Sequence, residues 1–242
     1  MRILITNDDG INYDGLNGVV AWAKKHGEVT VVAPKFEQSG KSHGIELHKP
    51  FEVKRVERWE GVESYSVDST PADCIRFAVL GLKRDFDLVL SGINNGLNIG
   101  CDMIYSGTVA AVFEAAALGI KAVAVSADFG KHEVAAEAMD RVFDYFDEHG
   151  LLEINNIYNV NVPENNKGIL ITRQGGPYYS DEFEPRENDL FMPIGKRVYE
   201  EKPTDELDTD AVMHGYISIT PLTLDRTANG AYDKLVELNG RK

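Results

Sequence analysis

The sequence contains few cysteines and no apolar run long enough to cross a membrane. Its two cysteines, Cys74 and Cys101, stand apart without a Cys-x-x-Cys pattern, which argues against a disulfide framework and indicates reduced, structural thiols. No apolar stretch approaches the roughly 20 residues that a membrane helix needs, and no signal-peptide pattern precedes the first apolar segment. We therefore expect a cytoplasmic protein without membrane contact.

Positive charge is also scarce, because 25 lysines and arginines stand against 39 aspartates and glutamates, for a formal net charge of -14. Binding to nucleic-acid polymers or to anionic membranes depends on a basic surface, so we expect neither. A small anionic substrate is compatible with this charge if a bound cation offsets the nearby carboxylates. The sequence also lacks a Walker A loop, a Gly-x-Gly-x-x-Gly after the first strand and a His-Glu-x-x-His, which argues against kinase, dehydrogenase and zinc-protease functions.

The first half of the chain alternates apolar strand-like runs with helical patterns, which is typical of βαβ units. We interpret it as an α/β fold with a doubly wound, mostly parallel Rossmann-like sheet in a three-layer αβα arrangement. The predicted strands span residues 2–6, 29–33, 45–56, 62–67, 88–90 and 122–125, and the predicted helices span residues 15–25, 71–82, 108–118 and 134–149.

The last third has a weaker pattern. Strands are predicted at 157–162, 169–172 and 216–220, separated by a segment rich in proline and acidic residues, and this part resembles an appendage to the core. It either packs on a neighbouring molecule or forms a mobile surface loop. We divide the single domain into a core at 1–184 that carries the site and a C-terminal extension at 185–242 that serves oligomerisation.

Two adjacent carboxylates follow the first predicted strand, in the sequence Asn7-Asp8-Asp9-Gly10. Open α/β sheets bind ligands at the carboxyl ends of their strands, which favours a functional role, whereas an Asp-Gly turn that caps a helix is the structural alternative. Adjacent carboxylates repel each other, so a cation between them would stabilise the turn. This repulsion favours a metal site.

Polar loops follow two other predicted strands. The loop at 35–44 contains Ser39 beside a lysine and glycines, and from these residues alone a solvated connection is the better interpretation. The loop after the strand at 88–90 contains Asn94 and Asn98, whose side-chain oxygens suit a hard cation, and here we favour function over turn formation. Oxygen-only ligands favour Mg²⁺, Mn²⁺ or Ca²⁺ over zinc.

The sequence Tyr105-Ser106-Gly107-Thr108 introduces the predicted helix at 108–118. Free backbone N–H groups and hydroxyls meet at such a helix N-terminus, which makes it an anion site. N-capping by Ser106 or Thr108 is the structural alternative, and both roles are compatible. A phosphate held here, beside a cation on the aspartates, would bridge the two halves of one site.

These blocks resemble the SurE family of survival-protein nucleotidases, and the resemblance spans most of the chain. The blocks are Asn7-Asp8-Asp9-Gly10, Val32-Ala33-Pro34 with Ser39-Gly40, Thr70-Pro71-Ala72-Asp73-Cys74, Ser91-Gly92-Ile93-Asn94, Tyr105-Ser106-Gly107-Thr108-Val109 and Gly215-Tyr216-Ile217-Ser218-Ile219-Thr220-Pro221.

The resemblance implies a role for each site residue. One divalent cation per subunit, Mg²⁺ or Mn²⁺, is expected on Asp8, Asp9, Ser39 and Asn94, and the phosphate is expected beside Asn98, Ser106, Gly107 and Thr108. The implied catalytic residues are Asp8, Asp9, Asn98, Ser106 and Thr108. Whether Asp8 acts as a base or as a nucleophile stays open.

The implied activity is hydrolysis of nucleoside 5′-monophosphates, with 3′-monophosphates and short polyphosphate as further substrates. The resemblance also implies a homodimer or homotetramer formed through the C-terminal extension. A non-catalytic module that senses nucleotide or phosphate on the same scaffold is the alternative. An enzyme with an aspartyl-phosphate intermediate is disfavoured, because Asp8 and Asp9 are adjacent and no Asp-x-Asp arrangement occurs there.

Overall fold

The computed structural model describes residues 1–239, which form one large sheet, one small sheet and the helices around them. The strands are β1 Arg2–Thr6, β2 Glu28–Pro34, β3 Val53–Val56, β4 Glu63–Val67, β5 Leu88–Asn95, β6 Lys121–Ala127, β7 Ile157–Val162, β8 Ile169–Ile171, β9 Tyr179–Pro185, β10 Phe191–Arg197 and β11 Ile217–Pro221. The α-helices are α1 Gly15–Ala23, α2 Pro71–Arg76, α3 Gly107–Ala117, α4 His132–Glu148, α5 Leu151–Ile154, α6 Asp208–Met213 and α7 Asn229–Leu235.

The large sheet has nine strands in the order β3-β4-β2-β1-β5-β6-β7-β11-β8. From β4 to β7 all neighbouring strands are parallel, while β3 pairs antiparallel with β4 and β11 pairs antiparallel with β7. The chain winds outward from β1 in both directions. This arrangement confirms the predicted doubly wound, mostly parallel α/β fold.

Both faces of the sheet are covered, because successive side chains of a strand point to opposite faces. In β1, Ile3 and Ile5 join the apolar cluster formed with α1 and α4, whereas Leu4 joins the cluster formed with α2 and α3. All three side chains are fully buried. Because both faces are buried, the centre of β1 is a continuous apolar run, and the strand was predicted with its correct bounds, Arg2–Thr6.

The helices begin where their sequences provide caps. The Thr70 hydroxyl accepts the Asp73 N–H at the start of α2, and Pro71 occupies the first helical position, as predicted. On the other face, α4 buries residues spaced about one helical turn apart, including Ala135, Met139 and Phe146. No helix of the described residues is both long and apolar enough to span a membrane.

Several predicted bounds were wrong. The helix predicted at 71–82 is α-helical only to Arg76 and continues as a π-helical turn over Phe77–Gly81. The strand predicted at 88–90 continues to Asn95, because β6 pairs with residues that read as a polar loop. The predicted hairpin forms between β3 and β4, but its first strand is only Val53–Val56 instead of 45–56.

The C-terminal third contributes to the large sheet instead of forming an appendage throughout. β7, β8 and β11 are all strands of that sheet, and β11 lies within the predicted extension at 185–242. What projects from the sheet is the β9–β10 hairpin, whose residues are exposed throughout, and α7, which has no buried residue. Residues 240–242 of the extension lie outside the described part, and the boundary at 184 stays a prediction.

Glu114 joins three segments on the α2–α3 face. Its side chain is about 10% exposed, and it accepts hydrogen bonds from His43 Nε2 at 2.8 Å and from Arg76 Nη1 at 3.3 Å. The contacts with His43 and Arg76 lower the pKa of Glu114 below its usual value. Glu114 therefore ties the loop after β2 and the end of α2 to α3.

We expect Glu114→Gln to lower the free energy of unfolding at neutral pH by about 1 to 3 kcal/mol, the usual worth of hydrogen bonds to a charged group. Because the folded-state pKa of Glu114 is lowered, its contribution is present above the unfolded-state pKa and is lost as the pH falls through the folded-state pKa. Denaturant unfolding from pH 7 to about pH 3 should show the two proteins converging at low pH. A constant difference would contradict this assignment, and Glu148→Gln on the exposed end of α4 is the control.

Candidate active site

The predicted site residues gather at the carboxyl end of the parallel strands, where β1 lies between β2 and β5. The chain leaves β1 toward β2 on one side and reaches β5 on the other, so this is the switch point of a doubly wound sheet, where such folds bind ligands. Asp8 and Asp9 follow β1, and Asn94 lies at the end of β5. The crevice between these strand ends is the candidate site.

The turn that carries the two aspartates is held by Asn7. Its Nδ2 donates to the Gly10 carbonyl oxygen at 3.0 Å, and its Oδ1 accepts the Gly10 N–H at 3.2 Å. The side chain is fully buried, so both amide bonds are protected from water. Asn7 therefore sets the direction in which Asp8 and Asp9 leave the sheet.

Asp8 is bound to the first turn of α3. The Thr108 N–H donates to Asp8 Oδ2 at 3.1 Å, and the Thr108 hydroxyl donates to Asp8 Oδ1. Both residues are buried, with Asp8 only 4% exposed. Burial raises the pKa of Asp8, and the hydrogen bonds from Thr108 oppose that rise. In this structure both Thr108 donors thus bind a carboxylate of the protein itself, and the predicted role of Thr108 as a phosphate ligand stays a prediction.

Glycine is required at the residue before Thr108. A Cβ atom on Gly107 would lie 2.8 Å from Asp8 Cβ and 3.0 Å from Asp8 Oδ2, closer than a side chain normally packs. The absence of a side chain allows α3 to approach the turn after β1. Ser106 begins the helix by accepting the Val109 N–H on its hydroxyl at 3.1 Å, which confirms that it caps α3.

Asp9 accepts a backbone N–H, and its pKa is raised by its surroundings and by the neighbouring Asp8 carboxylate. Its Oδ2 accepts the Asn95 N–H at 3.1 Å. Burial, with repulsion from Asp8 and Glu37, raises the pKa of Asp9 to about 7, and the Asn95 amide only partly offsets the rise. No positive side chain of the described residues is among the groups that act on Asp9. Within residues 1–239 the Asp9 carboxylate therefore has no cationic side chain that offsets its charge.

The oxygen atoms near this pair fit a divalent cation. Thr108 Oγ1 lies within hydrogen-bonding distance of Asp8 Oδ1 and 3.4 Å from Asn94 Oδ1. The Asp8 carboxylate and the Asn94 amide oxygen are therefore close to each other. Within residues 1–239 no three His, Cys, Asp or Glu side chains are grouped to hold a metal ion, so neutral oxygens would have to complete the ligand set. Hard oxygen donors suit Mg²⁺ or Mn²⁺.

Ser39 lies near these residues but does not contact them in the described structure. Its hydroxyl donates to Glu37 Oε1 at 2.7 Å, while the N–H of its neighbour Gln38 donates to the Asp8 carbonyl oxygen at 2.7 Å. The loop after β2 thus lies beside Asp8, with the Ser39 side chain turned to Glu37. Its predicted role as a metal ligand stays a prediction.

Asn98 is held on several sides. Its backbone N–H donates to Asn161 Oδ1 at 2.8 Å, and its carbonyl oxygen accepts from Asn159 Nδ2 and Asn161 Nδ2 at 2.7 and 3.0 Å. Its own side-chain amide donates to Ser126 Oγ at 2.9 Å. The position of Asn98 therefore depends on polar side chains near the carboxyl ends of β6 and β7.

The loop after β2 also contains the sequence Gly40-Lys41-Ser42-His43-Gly44, which matches the Gly-x-Ser-x-Gly of esterase nucleophile turns. In esterases that turn joins a strand directly to a helix. Here no helix follows within the described residues before β3, and the Ser42 hydroxyl donates to the Ile104 carbonyl oxygen at 2.7 Å. The match gives no support for an esterase.

A sequence model of the family described as "Survival protein SurE" matches residues 3–181 of this chain. The chain belongs to the SurE family. Two relatives named "5'-nucleotidase SurE" are similar to it over nearly their whole length: one from Thermoanaerobacter sp. (strain X514) is 38% identical and covers 94% of each chain, and one from Alkaliphilus metalliredigens is 38% identical and covers 100% of each.

A solved structure supports the same assignment. The SurE protein from Aquifex aeolicus matches with a TM-score of 0.80 and 32% identity, covering 99% of this chain and 100% of that one. The family resemblance predicted from the sequence blocks is thereby confirmed.

Several residues that build the site of this SurE-family chain were missed as contributors from the sequence. Asn159 and Asn161 alternate in the apolar strand sequence IYNVNV, and polar residues at every second position of a buried strand are a signal that could have indicated a shared polar face. Asp208 had no such signal, because its carboxylate binds backbone N–H groups of segments far away in the sequence.

We expect Gly107→Ala to destabilise the protein by about 1 to 3 kcal/mol, because the new methyl group overpacks against Asp8. Gly230→Ala is a matched control, because nothing lies within 4 Å of a Cβ at that position in α7. Denaturant unfolding measures both effects, and hydrogen exchange at the Thr108 amide reports whether the contact with Asp8 is lost. Equal stability of the two variants would show that α3 does not pack against the turn as described.

Proposed function

We propose that this SurE-family chain is a divalent-metal-dependent nucleotidase that hydrolyses nucleoside 5′-monophosphates to nucleoside and phosphate. The observation that carries the proposal is the pair of hydrogen bonds from Thr108 to Asp8, which joins two adjacent carboxylates to the start of α3. The 5′-nucleotidase name of the relatives supports the same activity. The proposed cofactor is one Mg²⁺ or Mn²⁺ ion per subunit.

In this proposal Asp8, Asp9, Ser39 and Asn94 hold the cation. When bound, the cation supplies positive charge that offsets the negative charge of the phosphate. The protein residues keep the carboxylates in place, because Thr108 orients Asp8 and the Asn95 amide orients Asp9. Since burial and mutual repulsion disfavour two ionised carboxylates, this turn is suited to attract a cation.

The proposed phosphate ligands lie on one continuous segment, residues 98–108. Asn98 begins this segment, a short 3₁₀ helix at Gly100–Tyr105 follows, and Ser106, Gly107 and Thr108 form the start of α3. Because Gly107 lies directly against Asp8, a phosphate on this segment would lie beside the carboxylate pair. Polar groups arranged before the reaction stabilise charge without having to reorganise.

The nucleoside part of the substrate has space beside the same segment. A cavity of about 580 Å³ is bordered by Ser106 and Phe113 of α3, by the exposed Tyr105, and by Gln174 and Arg226. An aromatic ring and polar side chains beside a phosphate site suit a base and a ribose. The proposed ligands contact only the cation and the phosphate, and none of them contacts the base. The proposal therefore includes 3′-monophosphates and short polyphosphate as secondary substrates.

We expect Asp8→Asn to abolish metal-dependent phosphate release while the protein stays folded, because the amide removes one of two charges that attract the cation. The assay uses nucleoside 5′- and 3′-monophosphates, an aryl phosphate and short polyphosphate, each with Mg²⁺, with Mn²⁺ and with a chelator. Asp147→Asn on the exposed end of α4 is the control and should retain activity.

The same assay separates the enzyme from a non-catalytic sensor. Folded wild-type protein that binds nucleotide but releases no phosphate with either metal would favour the sensor. Release that survives in Asp8→Asn, or that is insensitive to chelator, would contradict the assigned metal site.

We also propose that the protein forms a homodimer or homotetramer in the cytoplasm through its projecting C-terminal elements. One face of the β9–β10 hairpin carries Phe183, Pro185, Phe191 and Pro193, which are exposed and paired across the two strands. A two-stranded hairpin is marginally stable alone, so an apolar face of this kind is suited to packing on another subunit. Both cysteines are free, in keeping with a reducing compartment.

We expect the double variant Phe183→Ser with Phe191→Ser to reduce the mass of the assembly, because it removes apolar surface from the proposed contact. Size-exclusion chromatography with light scattering measures this change. The control is Glu182→Ser with Glu184→Ser, which alters the opposite face of β9. A monomeric wild-type protein, or equal masses of wild type and apolar variant, would contradict the proposed interface.

A further inference from the structure

We propose that Asp208, at the start of α6, is a positioning residue that holds the phosphate-binding segment 98–108 in place. The inference rests on the proposed function, because residues of that segment are proposed to bind the phosphate. Asp208 contacts neither Asp8 nor Asp9 in the described structure, and it belongs to no predicted site. Its proposed effect is therefore larger on the substrate phosphate than on the cation, which Asp208 reaches only through Thr108.

Asp208 is a fully buried carboxylate surrounded by backbone N–H groups of three segments. The Gly100 N–H donates to both of its oxygens, at 3.1 and 3.0 Å. The N–H groups of Gly175 and Thr209 each donate to its Oδ1 at 2.7 Å. The start of the 3₁₀ helix, the turn after β8 and the start of α6 therefore meet at one side chain.

The backbone around Gly100 is closely packed against the turn after β8 and the start of α6. A Cβ atom on Gly100 would lie 2.0 Å from the Gly176 carbonyl oxygen and 3.0 Å from Thr209 Cγ2. The next residue, Cys101, donates its N–H to the same Gly176 oxygen at 3.1 Å. Any displacement of Gly100 would break these contacts together with those to Asp208.

Asn98 lies two residues before Gly100 and is held separately by β6 and β7. Asn161 binds both its backbone N–H and its carbonyl oxygen, and Ser126 accepts its side-chain amide. The segment that begins the phosphate site thus has two anchors, the polar strand ends at Asn98 and the Asp208 carboxylate at Gly100. From Gly100 the 3₁₀ helix leads directly to Ser106, so the second anchor also controls where α3 begins.

A carboxylate suits this position better than an amide. Its two oxygens both accept from Gly100, whereas an asparagine has one acceptor oxygen and would turn an NH₂ group toward N–H donors. Asp208→Asn therefore changes the hydrogen bonding with almost no change in volume. This makes it the informative variant.

The test uses the full-length protein with Mn²⁺ and measures KM and kcat for a nucleoside 5′-monophosphate and for an aryl phosphate. For Asp208→Asn we expect KM for both substrates to rise about tenfold, the effect of one lost hydrogen bond to a charged group. Mn²⁺ affinity, measured by calorimetry, should fall by a clearly smaller factor than KM rises. Such a split between phosphate and metal is not expected from a general loss of structure.

Two further variants keep the test decisive. Ser126→Ala removes only the acceptor of the Asn98 side-chain amide, and it should raise KM in the same direction with a smaller change, even if Asp208→Asn does not fold. Asp225→Asn is the matched control, because Asp225 also accepts a backbone N–H, from Thr227 at 2.8 Å, but lies exposed. It should leave KM unchanged.

A wild-type KM in folded Asp208→Asn would overturn the inference, and so would an equal loss of Mn²⁺ and substrate affinity. If the wild type itself releases no phosphate, the proposed function fails, and the inference is then decided by the affinity for inorganic phosphate. In that case weaker phosphate binding by Asp208→Asn supports the positioning role, and unchanged binding overturns it.

Discussion

Two hydrogen bonds from Thr108 to Asp8 join the turn after β1 to the first turn of α3, and the candidate site is arranged around them. They form only because Gly107 has no side chain, which allows the helix and the turn to come into contact. Water is excluded from this contact, so each bond is stronger than an exposed one and each would be costly to leave unmade. The contact also shows how the Asp8 carboxylate is held although it is almost fully buried at a strand end.

The protein and the proposed substrate are both negatively charged, so the site must attract the phosphate through polar groups close to it. A chain with a formal net charge of -14 repels phosphate at long range, so attraction must come from groups within a few ångströms. Backbone amides, asparagine side chains and hydroxyls supply partial positive charge without adding another ion. Burial and repulsion from Asp8 and Glu37 raise the pKa of Asp9 to about 7, and no basic side chain of residues 1–239 opposes that rise. A bound cation would offset the negative charge of Asp8 and Asp9, as an arginine side chain does beside a carboxylate in other proteins.

The local sequence pattern was sufficient to predict those strands whose bounds are set by burial of apolar residues. β1 was predicted with its correct bounds from its central apolar run, and β7 from the apolar residues Ile157, Val160 and Val162 that end before Pro163. The end of β5 was missed, since Gly92 and Asn94 read as a loop until β6 is known to pair with them. Asp8, Asp9, Asn94 and Asn98 could be selected from their places after strands, but their anchors could not. Gly100 and Asp208 are 108 residues apart, and no local pattern connects them.

The order of strands at the β8 edge of the sheet also constrains how the chain is made. β11 lies between β7 and β8, so β8 belongs to the large sheet only through β11. On the ribosome, residues 169–171 emerge well before 217–221, and β7 therefore waits with an open hydrogen-bonding edge. An open edge of this kind is a site for mispairing with another chain. The order of β8 and β11 along the chain thus leaves the β7 edge of the sheet without its partner strand until the C-terminal part of the chain has been made.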